Sequence, residues 1–468
     1  MGTGAQHGDD AGPPPDPPSG VTIVGASAAG LSTAEALRRR GYQGRLRLLD
    51  AEDRLPYDRP PLSKQVLSGE WEPSRARLRG PDQWAALDAE LLLGERAVSL
   101  DSRTRTVTTG TGRVLEDDVL VLATGLTPAM LPGQDGLAGA HVLRGLDHAL
   151  ALRRDLAAAG RVVVVGEGVL GAEIAATARG LGLDVTLVGL GRTLLADQLG
   201  DTVGGALTAL HAERGVRLRL GSAVESLVGD SGRVRGVRLA DGEVLPADVV
   251  VTAVGSRPAT AWLEGSGLRL GDGVETDSRC RAAPGIYALG DAASWYHEGL
   301  GRRLRLENRT HAVEQAQAVA SAILGADRPY TPVPYFWTDQ YEARIQAHGT
   351  PSPGAKVSIA EGDVADRRFV AVYTVDGRVT GVLGWNMPKQ ARLLRQKHLA
   401  PPAARRSPQP SVPWPGGLPP PRPTTPTTPT SAAPAPDEQT ATPTPTATPA
   451  EPAPNDTSSD PRKKVGPP

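Results

Sequence analysis

Strand-type runs and helix-type runs alternate along this chain, and the alternation occurs twice in full. VTIV at residues 21–24 has strand character and leads into GASAAG at 25–30. A helix-favouring run rich in Ala, Leu and Arg follows over 31–40, and a second strand-like run at 46–49 ends on Asp50. The same order returns later, with four valines at 162–165, GEGVLG at 166–171, a helix through Arg179 and a strand at 185–188. Period-two and continuous apolar runs predict strands, and the runs between them predict helices. Further buried strands are expected in VLVLATG at 119–125, in ADVVVTAVGSRP at 247–258 and in GIYALGD at 285–291. An Ala-rich helix is expected over 311–324. Alternating strands, RFVAVYTV and VTGVLGW among them, fill 331–385. Strands alternating with helices imply an α/β architecture.

The two strand–glycine–helix units carry dinucleotide chemistry. Gly25 permits the tight turn, the small Ser27 lets backbone approach a pyrophosphate, and Gly30 lets helix pack on strand. The pyrophosphate then meets free N–H groups at the positive end of a helix dipole. Asp50, 25 residues after Gly25, is placed to accept from ribose hydroxyls. Gly166, Gly168 and Gly171 repeat the fingerprint without a break. In this second unit Gly189 stands where an acid would meet the ribose, and Arg192 follows. Two readings stay open: Arg192 admits a 2′-phosphate and hence NADPH, or it is a surface charge and ribose binding is looser. Since ADVVVTAVGSRP repeats the theme of VLVLATGLTP, the second nucleotide unit reads as inserted into the first.

Composition narrows the function. The 468 residues imply two to three domains. A net charge of −1 points to no nucleic-acid partner. No apolar run is long enough to span a bilayer. The single cysteine, Cys280, rules out an internal dithiol or a cysteine-ligated cluster and fits a reducing compartment. With no signal peptide at the N-terminus, the cytoplasm is the expected location. A Pro/Gly-rich leader over 1–18 and a Pro/Thr/Ala-rich tail over 399–468 are expected to be disordered. AEDRLPYDRPPLSK at 51–64 is a proline-fixed loop placing Arg59 and Lys64 near the cofactor's far side, or a surface loop with solvated charges. Asp291 suits hydrogen bonds to a polyol, the favoured reading, and a helix N-cap is the alternative. PYFWTDQY at 334–341 holds four of the 17 aromatic residues, as core or as cofactor contact.

GASAAG, LPYDRPPLSK, ATG, GEGVLGAEIAATA, VGSRP, GIYALGD and PYFWTDQY together resemble the ferredoxin-reductase branch of the FAD/NAD(P)-dependent pyridine nucleotide oxidoreductases, over about residues 19–398. The resemblance implies two Rossmann-like domains and a small α+β interface domain. FAD would occupy 19–145 with 281–328, the nicotinamide cofactor (NADH or NADPH) 146–280, and the interface domain 329–398. It implies that Gly25, Ser27, Gly30, Asp50, Arg59, Lys64 and Asp291 touch FAD. Lys64 would sit near flavin N5 paired with Glu173, and Trp337 would close on the isoalloxazine. Gly166, Gly168, Gly171 and Glu173 would line the nicotinamide site. Ala28, Ala123, Thr124, Gly125, Gly255 and Gly290 complete the cofactor-binding set, and Lys64, Glu173 and Trp337 form the catalytic group. Arg309 and His311 stand where the family usually has an aromatic and an Asn, near the flavin edge, so the mode of electron exit is expected to differ.

The implied reaction moves hydride from nicotinamide to flavin and single electrons onward to a small [2Fe–2S] ferredoxin. Ferredoxins are acidic, so an Arg-rich docking face is expected, with Arg302, Arg303, Arg305, Arg309, Arg392 and Arg395 as candidates. Two rivals remain at this stage: a flavin-dependent reductase of a quinone or of O₂, and a redox-sensing interaction protein acting through its tail. A disulfide reductase is excluded, because its cysteine pair is missing. The sequence leaves the oligomeric state open.

Overall fold

The strand β1 (Gly20–Val24) is buried at every position. It pairs in parallel with β2 (Arg45–Leu49) on one side and with Val119–Leu122 on the other. Parallel neighbours need a crossover, and α1 (Ala28–Arg39) supplies it. This sheet has six strands in the order Arg281–Ala283, Ile286–Ala288, Val119–Leu122, β1, β2, Glu90–Leu92. Segments far apart in the chain therefore build one sheet. The structure, a computed structural model, describes residues 17–352 and 354–399. The leader expected over 1–18 and the tail expected over 399–468 fall almost wholly outside them.

A second sheet repeats the plan. Its β3 (Arg161–Val165) crosses through α2 (Val169–Gly180) to β4 (Asp184–Gly189). The order is Arg217–Leu220, β4, β3, Val249–Thr252, Ala140–Val142, all parallel. The passages into and out of this unit pair with each other, Leu126–Pro128 running antiparallel to Ser256–Pro258. The expected boundaries at 145 and 281 differ from what is found. Ala140–Val142 already belongs to the second sheet, and Gly273–Thr276 pairs with Ala293–His297, on the first unit's side of the return. Turn residues mark where a strand stops, not which sheet the next strand joins.

The third sheet is antiparallel, in the order Tyr335–Gln340, Ala343–Gly349, Arg378–Trp385, Arg368–Val375, Lys356–Asp363. The helix Pro388–His398 packs on it through Ala391. Phe369, Tyr373 and Trp385 are fully buried, in one cluster with Val162 and Leu187 of the second unit. Leu62, Val66 and Leu67, in and just after the proline-fixed loop, join the same cluster. Burying an aromatic of this size contributes roughly 1.5–3 kcal/mol. That shared core fixes the loop, the second nucleotide unit and the third sheet around one cleft.

Candidate active site

The cleft has a volume of about 1850 Å³ and is lined by residues of both glycine turns, by Lys64 and by Trp337. Each turn is shaped by close approach. Gly25 has φ +104°, and a Cβ there would lie 2.3 Å from the Ala123 carbonyl oxygen. Gly166, at φ +120°, meets the Ala253 oxygen in the same way at 2.2 Å. Cβ atoms on Gly30 and Gly171 would fall 1.8 and 1.9 Å from the carbonyls of Gly25 and Gly166. These two glycines keep helix against strand and do not themselves line the cleft. Over Gly168 nothing lies within 4 Å. The first intrahelical bond of α1 is Leu31 N–H to the Ser27 carbonyl at 2.9 Å. The N–H groups of Ala28, Ala29 and Gly30 thus precede the helical ladder, which is what an anion at a helix N-terminus uses.

Behind the first turn sits a buried charge network. Asp50 Oδ2 accepts from Ala26 N–H at 2.8 Å and Oδ1 from Glu52 N–H at 2.9 Å. Burial raises the Asp50 pKa against those bonds. Arg59 donates to Glu52 at 3.0 Å and to the Arg144 carbonyl at 2.6 Å. The Arg144 guanidinium reaches Asp291 at 3.3 Å. Burial pushes Asp291 up and Arg144 down, so each is held charged by the other. The alternative of Asp291 as a helix N-cap is not found. It lies inside the short turn Gly290–Ala292, and the flanking cap residue makes no side-chain bond.

The centre of the cleft is Glu173, on the buried side of α2. Its Oε2 accepts from Lys64 Nζ at 2.7 Å and from Ser63 Oγ at 2.6 Å. Its Oε1 accepts from Thr338 Oγ1 at 2.8 Å. One carboxylate thus joins the proline-fixed loop, the second nucleotide unit and the third sheet. Gln340 donates to Thr338 at 3.0 Å, and Gln340 Oε1 meets His211 Nε2 at 2.7 Å. Since the Gln340 amide N–H₂ is committed to Thr338, His211 carries its proton on Nε2. Trp337, next along the strand, stacks on Tyr335 at 6.0 Å between centroids.

Residues 19–316 match the family model of the pyridine nucleotide-disulphide oxidoreductases. The chain belongs to this family. A second model, the reductase C-terminal domain, matches residues 335–410. The ferredoxin–NAD(+) reductase subunit of the benzene 1,2-dioxygenase system of Pseudomonas putida is 36% identical, over 80% of this chain and 90% of its own. The ferredoxin reductase for the CYP199A2 system of Rhodopseudomonas palustris is 33% identical and superimposes with a TM-score of 0.77, over 81% of this chain and 93% of its own. The reductase in a covalent putidaredoxin reductase–putidaredoxin complex gives the same identity and TM-score, over 81% and 92%.

This member of the pyridine nucleotide-disulphide oxidoreductases has a single cysteine and so no internal dithiol. Cys280 is fully buried, accepts from Gln315, and burial pushes its thiol up to about 12. Its two turns nonetheless fit the family's dinucleotides, FAD and NAD(P)H. Both present cradles that a Cβ would fill, and both open onto one cleft.

Most of the expected site residues line that cleft: Gly25, Ser27, Ala28, Asp50, Arg59, Lys64, Ala123, Thr124, Gly125, Gly166, Gly168, Glu173, Gly255, Asp291 and Trp337. Gly290 does not; its N–H is bound to Gln315 at 2.8 Å. The expectation for His311 needs correction. It is buried in the core, stacked 4.6 Å from Trp295, because a ring on that face of its helix packs inward. Arg309 does line the cleft, yet it is paired to Asp58 at 3.0 Å. Arg303 and Arg305 are likewise bound to neighbouring acids and carbonyls, while Arg302 and Arg392 are exposed. Ser63, Thr338, Arg144 and Glu52 were not anticipated. The one signal for them is position, Ser63 beside Lys64 and Thr338 beside Trp337.

Proposed function

We propose that the protein is an FAD-dependent NAD(P)H oxidoreductase that passes electrons to a small [2Fe–2S] ferredoxin, which supplies a cytochrome P450 or a Rieske-type oxygenase. The observation that carries this is the Lys64–Glu173 pair at 2.7 Å. It fixes a cation from the first unit's loop onto the helix of the second fingerprint, inside a cleft that both turns line. FAD, when bound, supplies the chemistry that converts a hydride pair into single electrons. The residues do the rest. Gly25 and Gly30 bring the first turn and its free N–H groups to the pyrophosphate, and Asp50 takes the ribose. Asp291, held by Arg144, takes the ribityl hydroxyls. Gly166, Gly168 and Gly171 do for the nicotinamide nucleotide what the first turn does for FAD.

Lys64 is the positive charge near the place where electron density rises, and Glu173 holds it there. Trp337, which lines the cleft from the third sheet, would cover the ring and keep water out. A one-electron partner with an acidic surface would meet exposed arginines, Arg302 and Arg392 being candidates. Residues 19–125 with about 260–328 form the FAD unit, the segment between them forms the nicotinamide unit, and 329–398 forms the interface domain. Among the described residues no helix is long and apolar enough to cross a membrane, and we place the protein in the cytoplasm.

An anaerobic titration of the purified flavoprotein tests the reading. Its visible flavin bands should bleach on adding NADH or NADPH, and ferredoxin or cytochrome c should restore them. A protein that stays colourless when supplied with FAD refutes it. Bleaching that only a quinone or O₂ reverses favours the small-molecule reductase instead.

A further inference from the structure

The two fingerprint units share the same strand register and the same spacing from strand to helix. Val24 pairs with Leu49 across β1 and β2, and Val165 pairs with Val188 across β3 and β4. Gly25 therefore matches Gly166, Ala26 matches Glu167, and Asp50 matches Gly189. In the first unit the turn carries a methyl and the strand end carries the acid. In the second unit the order is exchanged: the turn carries the acid and the strand end carries no side chain.

The exchanged acid occupies the vacated place. A Cβ on Gly189 would lie 2.2 Å from Glu167 Oε2, and one on Gly191 would lie 3.0 Å from Oε1. Neither glycine has a left-handed backbone, and the Glu167 side chain as placed fills the space that a side chain at 189 would take. Oε1 accepts the Gly191 N–H at 2.8 Å, which anchors the carboxylate at the end of β4. Oε2 has no protein donor among the described residues. Glu167, Gly189, Leu190 and Ala223 line the cleft together. Arg192, by contrast, is exposed and does not line it.

We propose that Glu167 recognises the adenosine ribose of the nicotinamide nucleotide and makes this site selective for NADH. The proposal rests on the reading that the second unit holds that nucleotide. An acid beside the ribose accepts from its 2′-hydroxyl, whereas a 2′-phosphate needs a cation. Oε2 supplies the acceptor. The same charge repels a phosphate dianion, so one group both attracts the right ligand and rejects the wrong one. Gly189 is thereby no sign of NADPH: the acid is supplied from the turn.

Binding separates this from catalysis. The FAD-loaded full-length protein is titrated by calorimetry with ADP-ribose and with 2′-phospho-ADP-ribose, neither of which can reduce it. The wild type should bind ADP-ribose at least about 10-fold more tightly, as an acceptor placed for a ligand hydroxyl and repelling a 2′-phosphate implies. Glu167→Gln and Glu167→Ala should each reduce that preference roughly 10-fold or more, with flavin content and thermal midpoint unchanged. Arg192→Ala should leave it as it is. A wild type that prefers the 2′-phosphate overturns the proposal, with no folded variant required, and so does a preference unaltered in both Glu167 variants. A wild type that binds neither ligand overturns the placement of the nicotinamide nucleotide itself, which is the separate failure of the functional reading.

Discussion

Glu173 accepts three hydrogen bonds, two from the proline-fixed loop and one from the third sheet, and each can be removed singly. Glu173→Gln keeps the shape and removes the charge that holds Lys64. Reduction of the bound flavin by the nicotinamide nucleotide should slow by on the order of 100-fold, the scale for losing one fixed electrostatic contact. Anaerobic stopped-flow reads that rate directly, and an unchanged rate would remove Lys64 from the chemistry. Thr338→Val leaves Oε1 without its donor and should cost about 1–2 kcal/mol in stability, seen as a lowered denaturation midpoint. The Lys64–Glu173 pair was legible in the sequence only through family resemblance, since 109 residues separate the partners. Thr338 was legible only by its place beside Trp337. A threonine in a strand carries no mark of the carboxylate it meets, and its partner lies on a helix in another unit. Glu167 escaped for a different reason: the fingerprint leaves its position free, so attention falls on the glycines around it.

The strand–turn–helix units were the most legible elements, because glycine spacing there is dictated by close contact and not by preference. The two kinds of glycine in α2's turn should separate in experiment. Gly171→Ala would force a Cβ against the Gly166 carbonyl, so strand and helix must part. A loss of about 1–3 kcal/mol is expected, the usual range for overpacking. Gly168→Ala meets nothing in the protein and should leave the thermal midpoint almost unchanged. It should still weaken NAD(H) binding by roughly 10-fold, the cost of about 1.4 kcal/mol of lost contact. Equal stability losses in the two variants would show that the open space over Gly168 is not the nucleotide's. The unit boundaries were less legible than the elements. The paired passages Leu126–Pro128 and Ser256–Pro258 are three residues each, too short for a pattern. Their pairing spans more than a hundred residues of chain.

Stability of the whole molecule depends on imidazoles that must stay neutral. His311 is stacked under Trp295, and burial lowers its pKa to about 3. His211, whose bond to Gln340 ties the second unit to the third sheet, is lowered to about 4 by burial. Unfolded, both return to the ordinary imidazole value of 6.5. Between these values the unfolded chain binds protons that the folded chain refuses, so stability falls as pH falls below 6.5 and keeps falling until the folded groups titrate. By pH 4 each histidine should remove on the order of 3 kcal/mol. Asp50 and Asp291 act with the opposite sign: raised by burial, they bind protons more readily in the folded state and partly counter the loss. The histidine share is isolated by comparing wild type with His311→Phe, which keeps a ring against Trp295 and removes the titration. Denaturant unfolding measured from pH 7 to pH 4 should show a shallower decline in the variant. Parallel declines would mean that the folded state accommodates the imidazolium, through a rearrangement that brings water or an acid to the unpartnered His311 Nε2.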